Sequence, residues 1–273
     1  MPTMVEKGQR FQALHQARET FVIANAWDAG SARILTALGF KALATSSGAC
    51  AGVLGRRDGM VTREEALAHC KEIVDATDLP VSADLEKGFG DTPGDVTDTI
   101  RLAARIGLVG ASIEDATGDP AEPLFDLTFA RQRIEAAVAE ARSQSFPFTL
   151  TARTENFLRG NPDLGDTIVR LKAFEAAGTD VLMAPGLPDL ESVRTVCAAL
   201  SRPVNFMAGI KGKSFTVAAL SDAGVRRVSL ATSLYRAAIT GLVNAAKEVA
   251  EHGTFGYLDD TLATPALNAF MRG

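Results

Sequence analysis

The run Ser82-Ala83-Asp84-Leu85-Glu86-Lys87-Gly88-Phe89-Gly90-Asp91 carries two carboxylates two residues apart, directly behind the apolar lead Pro80-Val81. Read as a buried strand that surfaces at its end, it points Asp84 and Glu86 to the same face of a sheet. Like charges so placed repel, and burying them unpaired costs a great deal of free energy. A divalent cation is the natural partner, and Gly88 and Gly90 let the backbone approach closely or take positive φ. The competing reading is a structural network in which neighbouring Lys or Arg side chains pair with the acids.

Such a run needs elements that bring other polar groups to it. After a short leading helix at 7–17, apolar strand-like runs recur at 21–28, 42–46, 80–86, 110–116, 148–155, 180–186, 203–209 and 227–232. Helical patterns lie between and after them, at 30–38, 63–77, 94–106, 127–143, 165–177, 189–200, 215–223 and 234–252. Thr62-Arg63-Glu64-Glu65 is a capping box, and Ala177-Gly178 and Ala223-Gly224 are helix stops. This alternation predicts a (β/α)8 TIM-type barrel with a C-terminal helical extension. A doubly wound open sheet is the alternative, because strand order cannot be read from periodicity.

The chain of 273 residues fits one barrel domain, about 21–253, with an extension at 254–273. A net charge of −5 leaves no basic footprint for nucleic acid or an anionic membrane. No apolar run approaches the roughly 20 residues that span a bilayer. Residues 1–8 lack the apolar centre of a secretory signal. Cys50, Cys70 and Cys197 are too scattered for a disulfide framework or a metal knuckle, so a cytoplasmic location is expected.

Active sites of barrels gather at the C-terminal ends of the strands. The polar residues expected there are Asn25 and Asp28, Thr45 to Gly48 with Asp58 on the following loop, Asp84 and Glu86, Glu114 and Asp115, Arg153, Glu155 and Asn156, and Asn205. Acids cluster on strands two to four and Arg153 approaches from strand five, a cation site facing an anion binder. Mg²⁺, or Mn²⁺, held by few direct carboxylates and several waters suits these donors, and the lack of His or Cys argues against zinc. A 2-oxo acid could chelate such an ion, with Ser46, the Ser47 and Gly48 backbone N–H groups and Arg153 holding its carboxylate. A Lewis acid on the carbonyl oxygen would stabilise the enolate left by carbon–carbon cleavage.

Asp58, the 84–90 run, Ile113-Glu114-Asp115 and Ala152-Arg153-Thr154-Glu155 resemble the isocitrate lyase/phosphoenolpyruvate mutase superfamily. The resemblance extends from about residue 21 to 246. The superfamily's Asp-Ala-Asp-x-Gly-[Tyr/Phe]-Gly segment aligns without a gap, Asp84 on its first acid and Glu86 on its second. It implies Asp84 as the direct Mg²⁺ ligand, with Asp58, Glu86 and Glu114 holding the ion's waters. It also implies Ser46, Ser47 and Gly48 as a carboxylate cradle and Arg153 as a substrate binder. Asn205 joins the expected substrate binders by its strand-end position, and Arg153, Ser46 and Asp58 are the expected catalytic set. Terminal helices exchanged between neighbours would make a homo-oligomer, a dimer or tetramer. Two departures separate scaffold from reaction. The lyase Lys-Lys-Cys-Gly-His loop is absent, and the loop Asp115-Ala116-Thr117-Gly118-Asp119-Pro120 lacks the Lys and Asn of mutases and phosphonopyruvate hydrolases.

Several residues have plainer readings. Cys50 is a small buried hydrophobe before it is an acid, and Cys70 and Cys197 are core. His15, His69 and His252 fall on helices away from strand ends. Asp28 suits a helix cap as well as a site, and Arg153 suits an ion pair with Glu155 as well as substrate. Lys211 and Lys213 flank Gly212 in a loop that is either a lid or merely solvated. The expected activity is Mg²⁺-dependent carbon–carbon cleavage or decarboxylation of a small 2-oxo or 2-hydroxy dicarboxylate, oxaloacetate-like acids first. Phosphorus–carbon chemistry on phosphonopyruvate and non-catalytic binding of 2-oxo acids are the rivals.

Overall fold

Apolar runs too short for helices, each followed by a capped amphipathic segment, build βα units, and here the units close on themselves. A computed structural model describes residues 2–213 and 215–271. Met1, Ser214, Arg272 and Gly273 lie outside the described residues, the last two being the end of the expected extension. Helix α1 (Met4–Gln16) leads into β1 (Phe21–Asn25), α2 (Ala29–Ala37), β2 (Leu43–Ala44), α3 (Ser47–Val53) and α4 (Arg63–Asp75). Then come β3 (Val81–Asp84), α5 (Pro93–Arg105), β4 (Gly110–Glu114), α6 (Leu127–Ser143), β5 (Thr149–Arg153) and α7 (Leu164–Ala176). The barrel finishes with β6 (Val181–Met183), α8 (Leu190–Ala199), β7 (Val204–Met207), α9 (Val217–Asp222) and β8 (Arg227–Ser229), and α10 (Ser233–His252) and α11 (Thr264–Phe270) follow. The strands pair in parallel in chain order and β8 returns to β1, which settles the closed barrel over the open sheet.

Helix starts follow the caps in the sequence. Thr3, Asp28, Thr62 and Thr92 each close a capping box. Asp28 is thus occupied as a cap, accepting from the Ser31 N–H at 2.6 Å. Two expectations change. The Ser46–Gly48 segment, expected at the end of strand two with no helix before 63, turns into one: Ser46 is the N-cap of α3 and Ser47 and Gly48 are its first residues. Helix α9 starts at Val217 rather than 215, because the Thr216 side chain accepts from the Ala219 N–H at 3.1 Å and fixes the boundary.

Barrel strands commonly fill their lumen with branched apolar side chains. Here Ser82, Ser112, Asn205, Arg227 and Ser229 line it instead, so a cavity of about 260 Å³ opens inward from the C-terminal ends. The apolar faces of the strands point outward, where Leu150, Ile100, Ile134 and Phe174 lie fully buried between barrel and helices.

Beyond β3 the chain bends sharply, with Glu86, Phe89 and Gly88 all at positive φ. A Cβ on Gly90 would collide with the Asp95 side chain, so this glycine permits close approach. Arg133 on α6 secures the bend from below. Only 1% exposed, it donates to the carbonyls of Lys87, Gly90 at 3.0 Å, Asp91 at 2.8 Å and Glu114 at 3.3 Å, and it stacks on Phe125. Substituting Arg133→Met removes the donors and leaves buried carbonyls without partners, at a cost of about 3 kcal/mol. Urea denaturation should show a matching fall in the midpoint, and an unchanged midpoint would show the bend to be self-supporting.

Candidate active site

The cavity is ringed by ends of β2 to β5 and by the loops after β7 and β8, with Asp84, Arg153, Ser46, Ser47, Asp58 and Asn205 among its lining residues. Asp84 closes β3. Its Oδ2 accepts the Ser47 N–H at 3.3 Å, and its Oδ1 accepts the Glu86 N–H at 3.3 Å and the Ser112 hydroxyl at 3.5 Å. Glu86 does not share a strand face with Asp84, because β3 has ended and Glu86 sits at φ 51°. It joins the acid cluster by that left-handed turn rather than by period-two alternation. Glu114 and Asp115 part company: Glu114 ends β4 facing Arg153, while Asp115 turns outward to the Thr154 hydroxyl at 2.8 Å, the Glu155 N–H at 2.9 Å and Arg170 at 3.2 Å.

Arg153 lies among the acids rather than across from them. It pairs closely with Glu155, lies 3.5 Å from Glu114 and 3.8 Å from Asp84. Burial pulls its pKa down, but Glu114, Glu155 and Asp84 outweigh that and raise it, so the guanidinium stays charged. Burial, then the charges of Asp84 and Asp58, push Glu86 up to about 7. Burial also raises Glu114, with Arg153 opposing and Glu155 and Asp84 reinforcing. Among the described residues Glu155 Oε2 is buried without a hydrogen-bond partner, with Arg159 Nε 3.4 Å away. Acid thus exceeds cation here, and the donor set fits one added divalent ion. Among the described residues no three Asp, Glu, His or Cys side chains converge tightly enough to ligate it directly. An ion held by one carboxylate and by waters, in turn held by the other acids, is the arrangement these positions allow.

Other groups occupy places the sequence did not signal. The Ser47 N–H is already engaged by Asp84, and Asn205 donates to Ser229 at 2.9 Å and accepts from Arg227 at 2.8 Å. Asp58 is exposed on its loop, beside Gly48. Arg159, three residues past Asn156, reaches Glu114 at 3.4 Å and Glu155 at 3.4 Å. Its only signal was a cation soon after the Arg153-Thr154-Glu155 run. His69 lies next to the end of β1, bonded through Nε2 to the Trp27 carbonyl at 2.7 Å, and His15 lies 3.3 Å from Arg227, which opens β8. Cys50 is buried, and burial followed by the charges of Glu86, Glu65 and Asp58 pushes its thiol up to about 11. It is not a ready acid or nucleophile near neutral pH.

A closed parallel barrel that gathers carboxylates and an arginine at the C-terminal strand ends is an enzyme scaffold. Residues 11–250 match the family model for phosphoenolpyruvate phosphomutase, and the chain belongs to that family, within the isocitrate lyase/phosphoenolpyruvate mutase superfamily of enzymes. A putative lyase/mutase from Burkholderia cenocepacia J2315 superposes with a TM-score of 0.97 at 45% identity, covering 99% of this chain and 97% of that one. Oxaloacetate decarboxylase of Paraburkholderia xenovorans is 32% identical over 74% of this chain and 68% of its own length. The 2-methylisocitrate lyase of Escherichia coli K12 is 27% identical over 94% of this chain and 89% of its own.

The raised carboxyls set a pH dependence of stability for the metal-stripped protein. Below the ordinary value of 4.5 Glu86 is protonated both folded and unfolded, and its contribution is fully present. Above that the unfolded chain loses its proton first, so stability falls as pH rises and levels off beyond about 7. Glu114 acts in the same direction. The urea midpoint of chelator-treated protein should therefore drop between about pH 5 and about pH 8. Glu114→Gln, neutral throughout, should flatten that slope, and an identical slope would remove Glu114 as its cause.

Proposed function

We propose that this chain is a divalent-metal-dependent carbon–carbon lyase or decarboxylase acting on a small 2-oxo or 2-hydroxy dicarboxylate, with oxaloacetate-like acids first. The observation that carries this reading is the excess of acid over cation at the mouth of a polar cavity, where Arg153, lodged among Asp84, Glu114 and Glu155, and Arg159, at the edge of Glu114 and Glu155, face more carboxylates than they can pair. Mg²⁺ or Mn²⁺ fits, with Asp84 as direct ligand and Asp58, Glu86 and Glu114 acting through waters. When bound, the ion supplies positive charge where an enolate oxygen develops.

The chain's own residues do the rest. Arg153, released in part from the acids by an added cation, holds the substrate carboxylate, with Ser46, Ser47, Gly48 and Asn205 around it. Ser46 makes no capping hydrogen bond, so its hydroxyl is free to donate into the cavity. The 115–120 loop turns its polar groups on itself: Thr117 donates to the Glu122 carbonyl at 2.5 Å and Asp119 accepts from the Ala121 N–H at 2.8 Å. It offers no base for forming a carbanion, and the Cys50 thiol is too weakly acidic to replace one. Loss of CO₂ exposes the enolate without a base, and solvent can protonate it, directly or through the Ser46 hydroxyl, which takes a solvent proton as it gives its own. This favours decarboxylation over isocitrate-type cleavage, in keeping with the oxaloacetate decarboxylase relative. Phosphorus–carbon chemistry is the second reading, favoured by the matching family model. A 2-oxo acid binder would keep the ion and show no turnover. Three free cysteines suit a reducing cytoplasm, and among the described residues no helix is long and apolar enough to cross a membrane.

The fate of 2-oxo acids, 2-hydroxy acids and phosphonopyruvate with Mg²⁺, followed by mass detection, tests the reading. Oxaloacetate should give pyruvate and CO₂, and absence of turnover across the panel would sink the enzyme. On the best substrate Cys50→Ser should retain most activity and Asp84→Ala should lose it. Mn²⁺ affinity should fall most in Asp84→Ala and about 10–100-fold in Glu86→Ala and Glu114→Ala, as for groups acting through bound water. Equal losses in all three would break the assignment.

The same reading includes a homo-oligomer, a dimer or tetramer. No residue of the twenty in α10 is buried, and Leu242, Val243, Phe255, Leu258 and Leu262 stand exposed along α10 and the segment after it. An apolar surface of this extent belongs against a second copy of the chain. Sedimentation should find an oligomer at micromolar protein, and a monomer there would refute it.

A further inference from the structure

Arg227 opens β8 and is 4% exposed, yet no carboxylate among the described residues pairs with it. Its Nε donates to Asn205 Oδ1 at 2.8 Å, one Nη to the Thr151 hydroxyl at 3.0 Å and the other to His15 Nε2 at 3.3 Å. All three partners are neutral. His15 Nδ1 bonds the Phe11 carbonyl at 2.8 Å, and burial with the Arg227 charge pushes this histidine down to about 3. Burial brings Arg227 itself down to about 9, which still leaves it charged at neutral pH. Arginines nearer the mouth behave otherwise: Arg153, Arg159 and Arg170 each face carboxylates.

A guanidinium has five N–H donors, and three of these are engaged. The side chain lines the same cavity that Arg153 and Asp84 line above. Its contact Thr151 precedes Arg153 by two residues on β5, one inward-facing layer deeper, or about 6.6 Å along the strand. A buried cation with spare donors, neutral neighbours and open space before it lacks a counter-charge, and burial without one is costly. The spacing between layers is that of a short diacid.

We infer that Arg227 forms the floor of a second anion position on the barrel axis, which takes the far carboxylate of a short diacid whose near end lies beside Arg153. This rests on the proposed reading for the near end alone. Asn205, besides lining the cavity, then also positions this guanidinium, turning its acceptor to Arg227 and its donor to Ser229. The position selects diacids over monoacids of equal length, and the chemistry at the mouth does not require it.

Calorimetric titration with succinate and with monomethyl succinate, in the presence of Mg²⁺, tests the inference. Wild-type protein should bind succinate about 10–100-fold more tightly than its half-ester, the worth of charge-assisted hydrogen bonds. Arg227→Met should bring succinate down to the half-ester's affinity and leave the half-ester unchanged. Equal affinities in wild type, or a preference that survives in folded Arg227→Met, would overturn the assignment. Should Arg227→Met not fold, Arg227→Lys keeps the charge but loses the fork. It should reduce the preference, and an undiminished preference would overturn the proposal. Inorganic phosphate binding that Arg227→Met abolishes while sparing succinate would assign the position to a free anion and overturn the diacid. A succinate preference without turnover of any oxo acid sinks the catalytic reading alone. Turnover without the preference sinks the anion position alone.

Discussion

Arg153 is the pivot of this structure. Three carboxylates on β3, β4 and the turn after β5 converge on one guanidinium in a site largely closed to water. Arg153 and Arg159 do not balance all the acids here: burial first, and then neighbouring carboxylates, hold Glu86 and Glu114 up the pH scale, and among the described residues a buried Glu155 oxygen makes no hydrogen bond. An active site needs this incompleteness, since a fully satisfied network would have no affinity left for an ion or an anion. The surrounding scaffold is correspondingly well satisfied. Arg133 ties four carbonyls under the acid-bearing bend, and Asp115 gathers three donors behind Glu114.

The lumen follows the same division. A barrel packed with Val, Ile and Leu would be more stable and closed. Serines at 82, 112 and 229 leave space, and the arginine and asparagine below them make that space polar. Apolar burial needed for stability has moved outward to the layer between strands and helices, where Ile100, Ile134 and Phe174 exclude water. Stability and ligand space thus lie on opposite faces of the same eight strands.

Much of this was legible from periodicity and caps. The eight βα units and most helix starts depend on local patterns, and Thr62 and Asp28 cap as expected. The cluster of Asp84, Glu114 and Arg153 follows from barrel topology once strand ends are found. What escaped is what backbone conformation decides beyond the regular elements. Period two stops at Asp84, so the place of Glu86 depends on a left-handed turn that no alternation encodes. Ser47 begins a short helix whose small residues carry little helical signal. Arg227 opens the run expected as strand eight, and only the register of β8 against β7 and β1 turns it inward.

The departures in the 115–120 loop bear on how reaction and scaffold separate. Strand-end acids are fixed by the barrel and by Arg133, so they persist whatever the loop contains. The loop is tied at its base by the Ala116–Leu124 bridge and by Lys87 on the Thr117 carbonyl at 2.7 Å, contacts that leave its side chains outside the cavity's lining. Among the described residues this loop therefore brings no acid or base to the cavity. A bond whose cleavage leaves its electrons on the retained fragment, with CO₂ departing, needs none at that step. Under the proposed reading, the chemistry open to the site is narrowed less by the acids that would hold an ion than by the lack of an acid or base from this loop among the residues lining the cavity.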